Sequence, residues 1–369
     1  MKGYVFAPLI LVCLLPAAPP ALGQAKKPAS TRKVVRRVKP APPVDPTEGD
    51  NADGDDLTIR RAAVAALGGM NGSVVVVDPS NGRVLTIVNQ KLALASGFIP
   101  CSTIKLVTSV AALNEHVVEH DTPVRIGRYV TFNMDTAIAH SNNEYFGVLG
   151  QRLGYDRVIQ YARMLGLGEK AGLDIPGEEP GAVPDGPPKG GGMILMTAYG
   201  EGFQVTPLEL AAMLSAIANG GKLYYLQYPR TEAEAAHFTP QVKRDLELAP
   251  NEIPDIRVGM RGSVDYGTGK RAAYDPAEPI LGKTGTCTDF RVGVNSHMGW
   301  FGSFNEVTAH QLVVVVMLMG HSNIGGGVAA GVAGAIYRDL SGQRYFVAET
   351  KPAVQMPIII TTKPGDPGR

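Results

Sequence analysis

Two runs of β-forming residues near one end of the chain and three near the other bracket a long helical stretch, which limits the available folds. Ser73-Val-Val-Val-Val77 and Arg83-Val-Leu-Thr-Ile-Val88 are joined by Asp78-Pro-Ser-Asn-Gly82, a hairpin signature. Pro279 to Thr286, Met298 to Phe304 and His310 to Met319 read as three further strands. Between the two groups, from Thr103 to about Leu223, the pattern is mainly helical with glycine-rich breaks. Helices are also expected from Arg60 to Leu67 and from Val328 to Leu340. The order predicts an α/β (α+β) fold: a five-stranded antiparallel sheet flanked by helices, with an inserted helical lobe.

Composition narrows the function classes. Of 369 residues, 44% are hydrophobic and 19% charged, enough apolar surface for a sizeable core. A formal charge of +1 argues against a nucleic-acid partner, and three cysteines exclude a small disulfide scaffold. A multi-pass membrane protein is excluded because the chain has a single long uncharged apolar run, Tyr4 to Gly23. That run follows Lys2, contains Pro8, Pro16, Pro19 and Pro20, and ends in Ala21-Leu22-Gly23, the pattern of a secretory signal or a retained anchor over residues 1–23. Either reading makes the remainder an exported protein, placed in the periplasm or on the outer face of the cytoplasmic membrane. Residues 24–57 carry a basic block (Lys26 to Lys39), five prolines and an acidic block (Asp45 to Asp56), and are expected to form a disordered, solvated tether. The folded domain is expected over residues 58–345, with a loose tail over 346–369.

The chemistry-bearing residues fall in three stretches. Pro100-Cys-Ser102-Thr-Ile-Lys105 opens a helix expected from Thr103 to Asn114 that is apolar over most of its surface, hence central and buried. Ser102 and Lys105 share one face, where a half-buried neutral amine can take the proton of a serine hydroxyl. Backbone N–H groups at the helix start can meet a developing oxyanion. Ser30-Thr-Arg-Lys33 has the same spacing but precedes no apolar helix. In the second stretch, Ser141-Asn142-Asn143, a hydroxyl relays a proton and an amide grips a substrate amide; Ser303-Phe-Asn305 matches the pattern but lies at a strand end. In the third, Lys283-Thr284-Gly285-Thr286, a lysine and hydroxyls on a strand edge bind a carboxylate. Gly285 allows close backbone approach, and the Thr286 N–H can serve as an oxyanion donor.

These stretches resemble, in order and surroundings, the penicillin-binding proteins, the active-site serine D,D-peptidases and transpeptidases. Supporting segments are Ser141-Asn-Asn-Glu-Tyr-Phe146, Gly172-Leu-Asp-Ile-Pro-Gly-Glu178, Gly200-Glu-Gly-Phe-Gln-Val-Thr-Pro-Leu208, Gly267-Thr-Gly269 and Trp300-Phe-Gly302, so that the likeness spans about Thr58 to Tyr345. The resemblance implies the penicilloyl-serine-transferase fold and a ping-pong acyl transfer on D-Ala-D-Ala ends of peptidoglycan stem peptides, without a cofactor or metal. It makes Ser102 the nucleophile, Lys105 the base and Ser141 the proton relay. Asn143 would hold the substrate amide, Lys283 and Thr284 its carboxylate, and the N–H groups of Ser102 and Thr286 the oxyanion. β-Lactams become covalent inhibitors, and cell-wall assembly proteins become partners. High-molecular-weight family members usually carry an extra amino-terminal pedestal, whereas only a short tether is expected here ahead of the folded domain. The family's β-lactamase branch and a non-turnover penicillin sensor are the competing readings.

The resemblance also bears on Cys101 and Cys287. Class A carbapenem-hydrolysing β-lactamases are similar in bridging matching positions, so a Cys101–Cys287 disulfide is expected in an oxidising compartment. Three other patterns weigh less. His116-Val-Val-Glu-His120 matches a zinc-peptidase motif, but Asp121-Thr-Pro123 ends its helix at once. Gly282-Lys-Thr284 has Ala277 where a phosphate loop needs its leading glycine, and Gly325-Gly-Gly reads as a connection into the last helix. Glu178 and Glu179 are expected to be structural and not a deacylating base. Trp300, the one tryptophan, is assigned to the core or a cleft wall.

Overall fold

The computed structural model describes residues 45–190, 192–289, 296–306 and 310–347. The expected signal or anchor, the basic block and Ser30-Thr-Arg-Lys33 therefore lie outside the described residues. The expected strands form at nearly the expected places: β1 (Gly72–Asp78), β2 (Arg83–Val88), β3 (Ile280–Thr288), β4 (His297–Asn305) and β5 (Val313–Gly320). They make one antiparallel sheet, as expected from the sequence, and its strand order is β2-β1-β5-β4-β3. The amino-terminal hairpin thus closes onto the carboxy-terminal strands through β1 and β5, with Val77 opposite Val313 and Val74 opposite Val316.

Both faces of the sheet are covered, which is why its strands read as continuous apolar runs. Alternate residues point to opposite faces. Val74, Val76, Val314, Val316 and Phe301 join one core with helices α1 (Leu57–Leu67) and α8 (Gly326–Gly342). Val75, Val77, Val313, Val315 and Trp300 join a larger core with the helical lobe. The lobe includes α2 (Lys105–Asn114), α3 (Met134–His140), α4 (Asn143–Leu153), α5 (Met193–Tyr199), α6 (Pro207–Asn219) and α7 (Glu252–Asp265). From Lys105 to Leu113 every residue of α2 is buried, as expected for a central helix.

The acidic half of the expected tether is a correction. Residues 45–56 are docked on the domain, because a basic side chain and a row of backbone amides await them. Asp50 and Asp55 both pair with Arg60, at 2.9 and 2.7 Å, and all three side chains are largely withdrawn from solvent. Asp50 also accepts from the Asn89 and Gln90 amides, while Asp55 accepts from Thr86 and Tyr228. Asp56 caps α1 through the Thr58 and Ile59 amides. At the other end Phe346, expected in a loose tail, is buried against Tyr337. Among the described residues no helix is long and apolar enough to cross a membrane.

Candidate active site

The first stretch enters the site through a tight turn. Cys101–Ile104 form a 3-10 turn and α2 starts at Lys105, two residues after the expected Thr103, so Ser102 lies in the turn that leads into the α-helix. Cys101 has φ +52°, a left-handed conformation that costs a non-glycine residue about 1–2 kcal/mol. Three contacts over-determine that turn. The Cys101–Cys287 disulfide expected from the resemblance is present, with Cα atoms 5.6 Å apart, within the usual range for such a bridge. The buried Trp300 indole donates to the Ile99 carbonyl at 3.0 Å, giving this side chain a core role. Gly285 passes so close that an added Cβ would lie 2.9 Å from the Pro100 carbonyl oxygen. Edge strand β3 is thereby pressed against the turn carrying Ser102.

The second stretch is a break between two helices. Asn133 caps α3 through the Thr136 amide, and α3 ends on Ser141 in the left-handed conformation, φ +55°. Asn142 then caps α4 through the Tyr145 amide. This reversal directs the Ser141 carbonyl, the Ser141 hydroxyl and the Asn143 amide toward one point, and Lys105 Nζ occupies it. The amine lies 2.9 Å from Ser102 Oγ, 2.8 Å from Ser141 O, 3.0 Å from Ser141 Oγ and 2.6 Å from Asn143 Oδ1.

The third stretch meets the same hydroxyl from the sheet. Lys283 Nζ donates to Ser141 Oγ at 2.8 Å and to the Thr284 carbonyl at 3.0 Å. Thr284 Oγ1 is 2.6 Å from Thr268 Oγ1 of the Gly267-Thr-Gly269 turn, whose Thr268 amide donates to Ala139 O at the end of α3. Thr286 is exposed on the edge strand, and its Oγ1 accepts from the Gly326 amide at the start of α8. Ser102, Lys105, Ser141, Asn143 and Lys283 therefore form one connected hydrogen-bonded cluster, with Thr284, Gly285 and Thr286 following Lys283 along β3.

Burial sets the electrostatics. Lys105 and Lys283 are both fully buried. Desolvation, with the Lys283 charge as second cause, lowers the Lys105 amine from 10.5 to about 6. Desolvation alone lowers Lys283 to about 7. A neutral Lys105 has two N–H donors and one lone pair. Ser141 O and Asn143 Oδ1 can only accept, so they take the two donors. The lone pair is left to a hydroxyl, Ser102 or Ser141. A buried amine held this way can take a proton from Ser102.

Three participants carry no signal in the sequence reading. Tyr199 accepts from Asn143 Nδ2 at 2.9 Å, and Ser102 Oγ donates to Ala198 O at 3.4 Å. Thr268, noted only as part of a matching turn, is tied to Thr284. Both α5 residues stand one or two positions before Gly200, where the matching segment begins.

The weaker patterns lie elsewhere. Helix α2 ends at Asn114, so His116, Glu119 and His120 do not share a helix face; His120 pairs with Asp135 and Asp255. Among the described residues no group of three such side chains is placed to hold a metal ion. Glu178 is buried and accepts from the Gly172 and Asp174 amides, a structural placement as expected. Ser303 is buried in β4, donating to Val314 O.

Residues 72–338 match the model of the penicillin binding protein transpeptidase domain. Stage V sporulation protein D of Bacillus subtilis is 30% identical over 292 residues, 71% of this chain and 44% of that protein. The peptidoglycan D,D-transpeptidase MrdA of Acinetobacter baumannii is 26% identical over 66% of this chain and 45% of its own length. The chain thus spans about half the length of these curated relatives. In fold it is similar to a peptidoglycan glycosyltransferase from Burkholderia ambifaria, with TM-score 0.67 and 23% identity over 79% of this chain and 98% of that one. The transpeptidase domain of penicillin-binding protein 3 from Burkholderia pseudomallei gives 0.66 at 23% identity, over 79% of this chain and 96% of that one.

Proposed function

Because the chain belongs to the penicillin-binding protein transpeptidase domain family, we propose that it is a serine D,D-transpeptidase acting on D-Ala-D-Ala ends of peptidoglycan stem peptides. One observation carries the reading: the buried Lys105 amine lies within 3.0 Å of both the Ser102 and Ser141 hydroxyls, and Lys283 holds Ser141 from the other side. In acylation Ser102 Oγ attacks the carbonyl of the penultimate D-Ala, and Lys105 takes its proton. Ser141 passes a proton to the departing D-Ala amine, leaving an ester on Ser102. An acceptor amine then displaces Ser102; water in its place would make the enzyme a carboxypeptidase. Lys283 and Thr284, backed by Thr268, receive the terminal carboxylate, and Asn143 Nδ2 donates to the substrate amide. The N–H groups of Ser102 and Thr286 meet the oxyanion. A β-lactam follows the same path and stops at the ester.

The catalytic domain works outside the cytoplasm, in the periplasm or at the outer face of the cytoplasmic membrane, with residues 1–23 as leader or anchor and the segment up to residue 44 as tether. Cell-wall assembly proteins would supply the acceptor strand. The test is labelling with a fluorescent penicillin. The native chain takes up label and keeps it for hours, and Ser102→Ala takes up none. Loss of label within seconds would instead mark a β-lactamase, and labelling of Ser102→Ala would overturn the assignment. A D-Ala-D-Ala peptide, with and without an amine acceptor, separates transfer from hydrolysis.

A further inference from the structure

His120, the second histidine of the zinc-peptidase pattern, stands where three helices that serve the cluster meet at their far ends. Lys105 opens α2, Ser141 follows the end of α3, and α7 runs on to the Gly267-Thr-Gly269 turn. His120 lies on the chain leaving α2, and its carbonyl accepts from the amide of Met134, the first residue of α3, at 2.9 Å. Its Nδ1 is 3.1 Å from both carboxylate oxygens of Asp135 in α3, and its Nε2 is 3.6 Å from Asp255 Oδ1 in α7. Both aspartates lie in the first turns of their helices, where the helix dipole favours an anion. Their side chains are each 16% exposed and the imidazole 30%. The two helices touch closely here, since a Cβ on Gly259 of α7 would lie 2.7 Å from Ile138 Cβ and 3.1 Å from Asp135 O.

We propose that His120 is a pH-responsive brace: as an imidazolium it ties α3 to α7 at the ends remote from Ser102, and on losing its proton it releases one of them. The brace acts whichever hydroxyl is the nucleophile, and so goes beyond the reading given above. An imidazolium has two N–H donors, one for each carboxylate, whereas the neutral ring has one donor and one lone pair. After deprotonation one of the two aspartates therefore faces a lone pair. Burial pushes the imidazole value down, but Asp135, Asp255 and Asp121 of its own loop outweigh burial, and the net shift is upward from 6.5. Burial raises Asp135, the imidazolium opposes that rise, and Asp255 and Asp121 add to it. Glu252, also in the first turn of α7, interacts with His116 and Asp255. A histidine raised in the folded state stabilises fully below its unfolded value of about 6.5, and the contribution is lost as pH rises through the folded value. The frame that carries the cluster is thus tighter in mild acid than above neutrality.

The test uses His120→Gln, a polar side chain that cannot take a proton. Urea unfolding of the native chain and the variant is compared from about pH 5.5 to about 8.5. The native margin over the variant should be largest at the acid end and shrink toward the alkaline end. Each unit by which the folded value exceeds about 6.5 should change the ratio of the two unfolding constants about tenfold across that range. The folded value comes from NMR titration of the seven histidines, the His120 signal being the one missing from His120→Gln. It should lie above about 6.5 in the native chain and move down in Asp255→Asn, which keeps the shape of that side chain and removes its charge. A margin equal at both ends, a native value at or below about 6.5, or a value that Asp255→Asn leaves in place overturns the proposal. Neither measurement uses penicillin, so a native chain that takes up no label removes the active-site reading and leaves the brace standing.

Discussion

The acylation rate should rise with pH through a limb set by a lysine, and a second lysine should control where that limb lies. Lys105 is lowered to about 6. At pH 7 such an amine is about nine-tenths neutral, whereas at the ordinary lysine value of about 10.5 it would be roughly 0.03% neutral. Burial therefore raises the fraction of usable base by about three thousand. Sign follows from the mechanism: the active form is the deprotonated amine, so the rate falls about tenfold per unit below the limb and levels above it. Lys283, lowered to about 7, must keep its proton to bind a carboxylate, so a falling limb follows in the free enzyme. Replacing it, as Lys283→Met, has two expected effects. The falling limb disappears along with much of the affinity for carboxylate-bearing substrates. The rising limb moves to higher pH, since the like charge that helped to hold Lys105 down is gone. The assay is the second-order rate constant of penicillin acylation, measured from about pH 4.5 to 10 for both proteins. A native rising limb near 10, or a limb that Lys283→Met leaves in place, would refute the assignment of Lys105 as the base.

Two stability predictions follow from the contacts around the site. The Cys101–Cys287 bridge closes a loop of 186 residues, for which the chain-entropy relation gives about 5 kcal/mol. Urea unfolding with and without reductant should differ by several kcal/mol, and coincident midpoints would count against that contribution. Arg60→Met strands Asp50 and Asp55 in a buried setting, so it should cost about 3–5 kcal/mol in the same assay; a loss below about 1 kcal/mol would mean that the acidic segment undocks freely.

Strands and central helices were legible because both faces of the sheet are buried, so the valine runs at Val74 to Val77 and Val313 to Val316 stand out from their turns. The three motifs were legible because each packs its chemistry into three or four adjacent residues. What escaped lacks such local density. The acidic run from Asp45 to Asp56 looks like a solvated linker until Arg60 and Tyr228, the latter more than 170 residues away, are brought to it. Tyr199 touches the cluster through a single hydroxyl whose partner lies 56 residues earlier in the chain, and no local pattern marks it. The start of α2 at Lys105 was missed because backbone strain at Cys101 is imposed by distant β3, not by the propensities of the turn.

The pairing of β1 with β5 has a consequence for biogenesis. Each strand carries four consecutive valines, and each is the neighbour that shields the other, yet some 240 residues separate them. As the polypeptide emerges amino terminus first, the earlier valine run can pair at once with β2 along one edge, but its other edge must wait for nearly the whole remaining length to arrive. Windows of this kind are the ones most given to intermolecular β-association. Yield of correctly assembled protein, more than turnover once assembled, is the quantity that polar replacements in either run, or slowed delivery of the last strands, would alter.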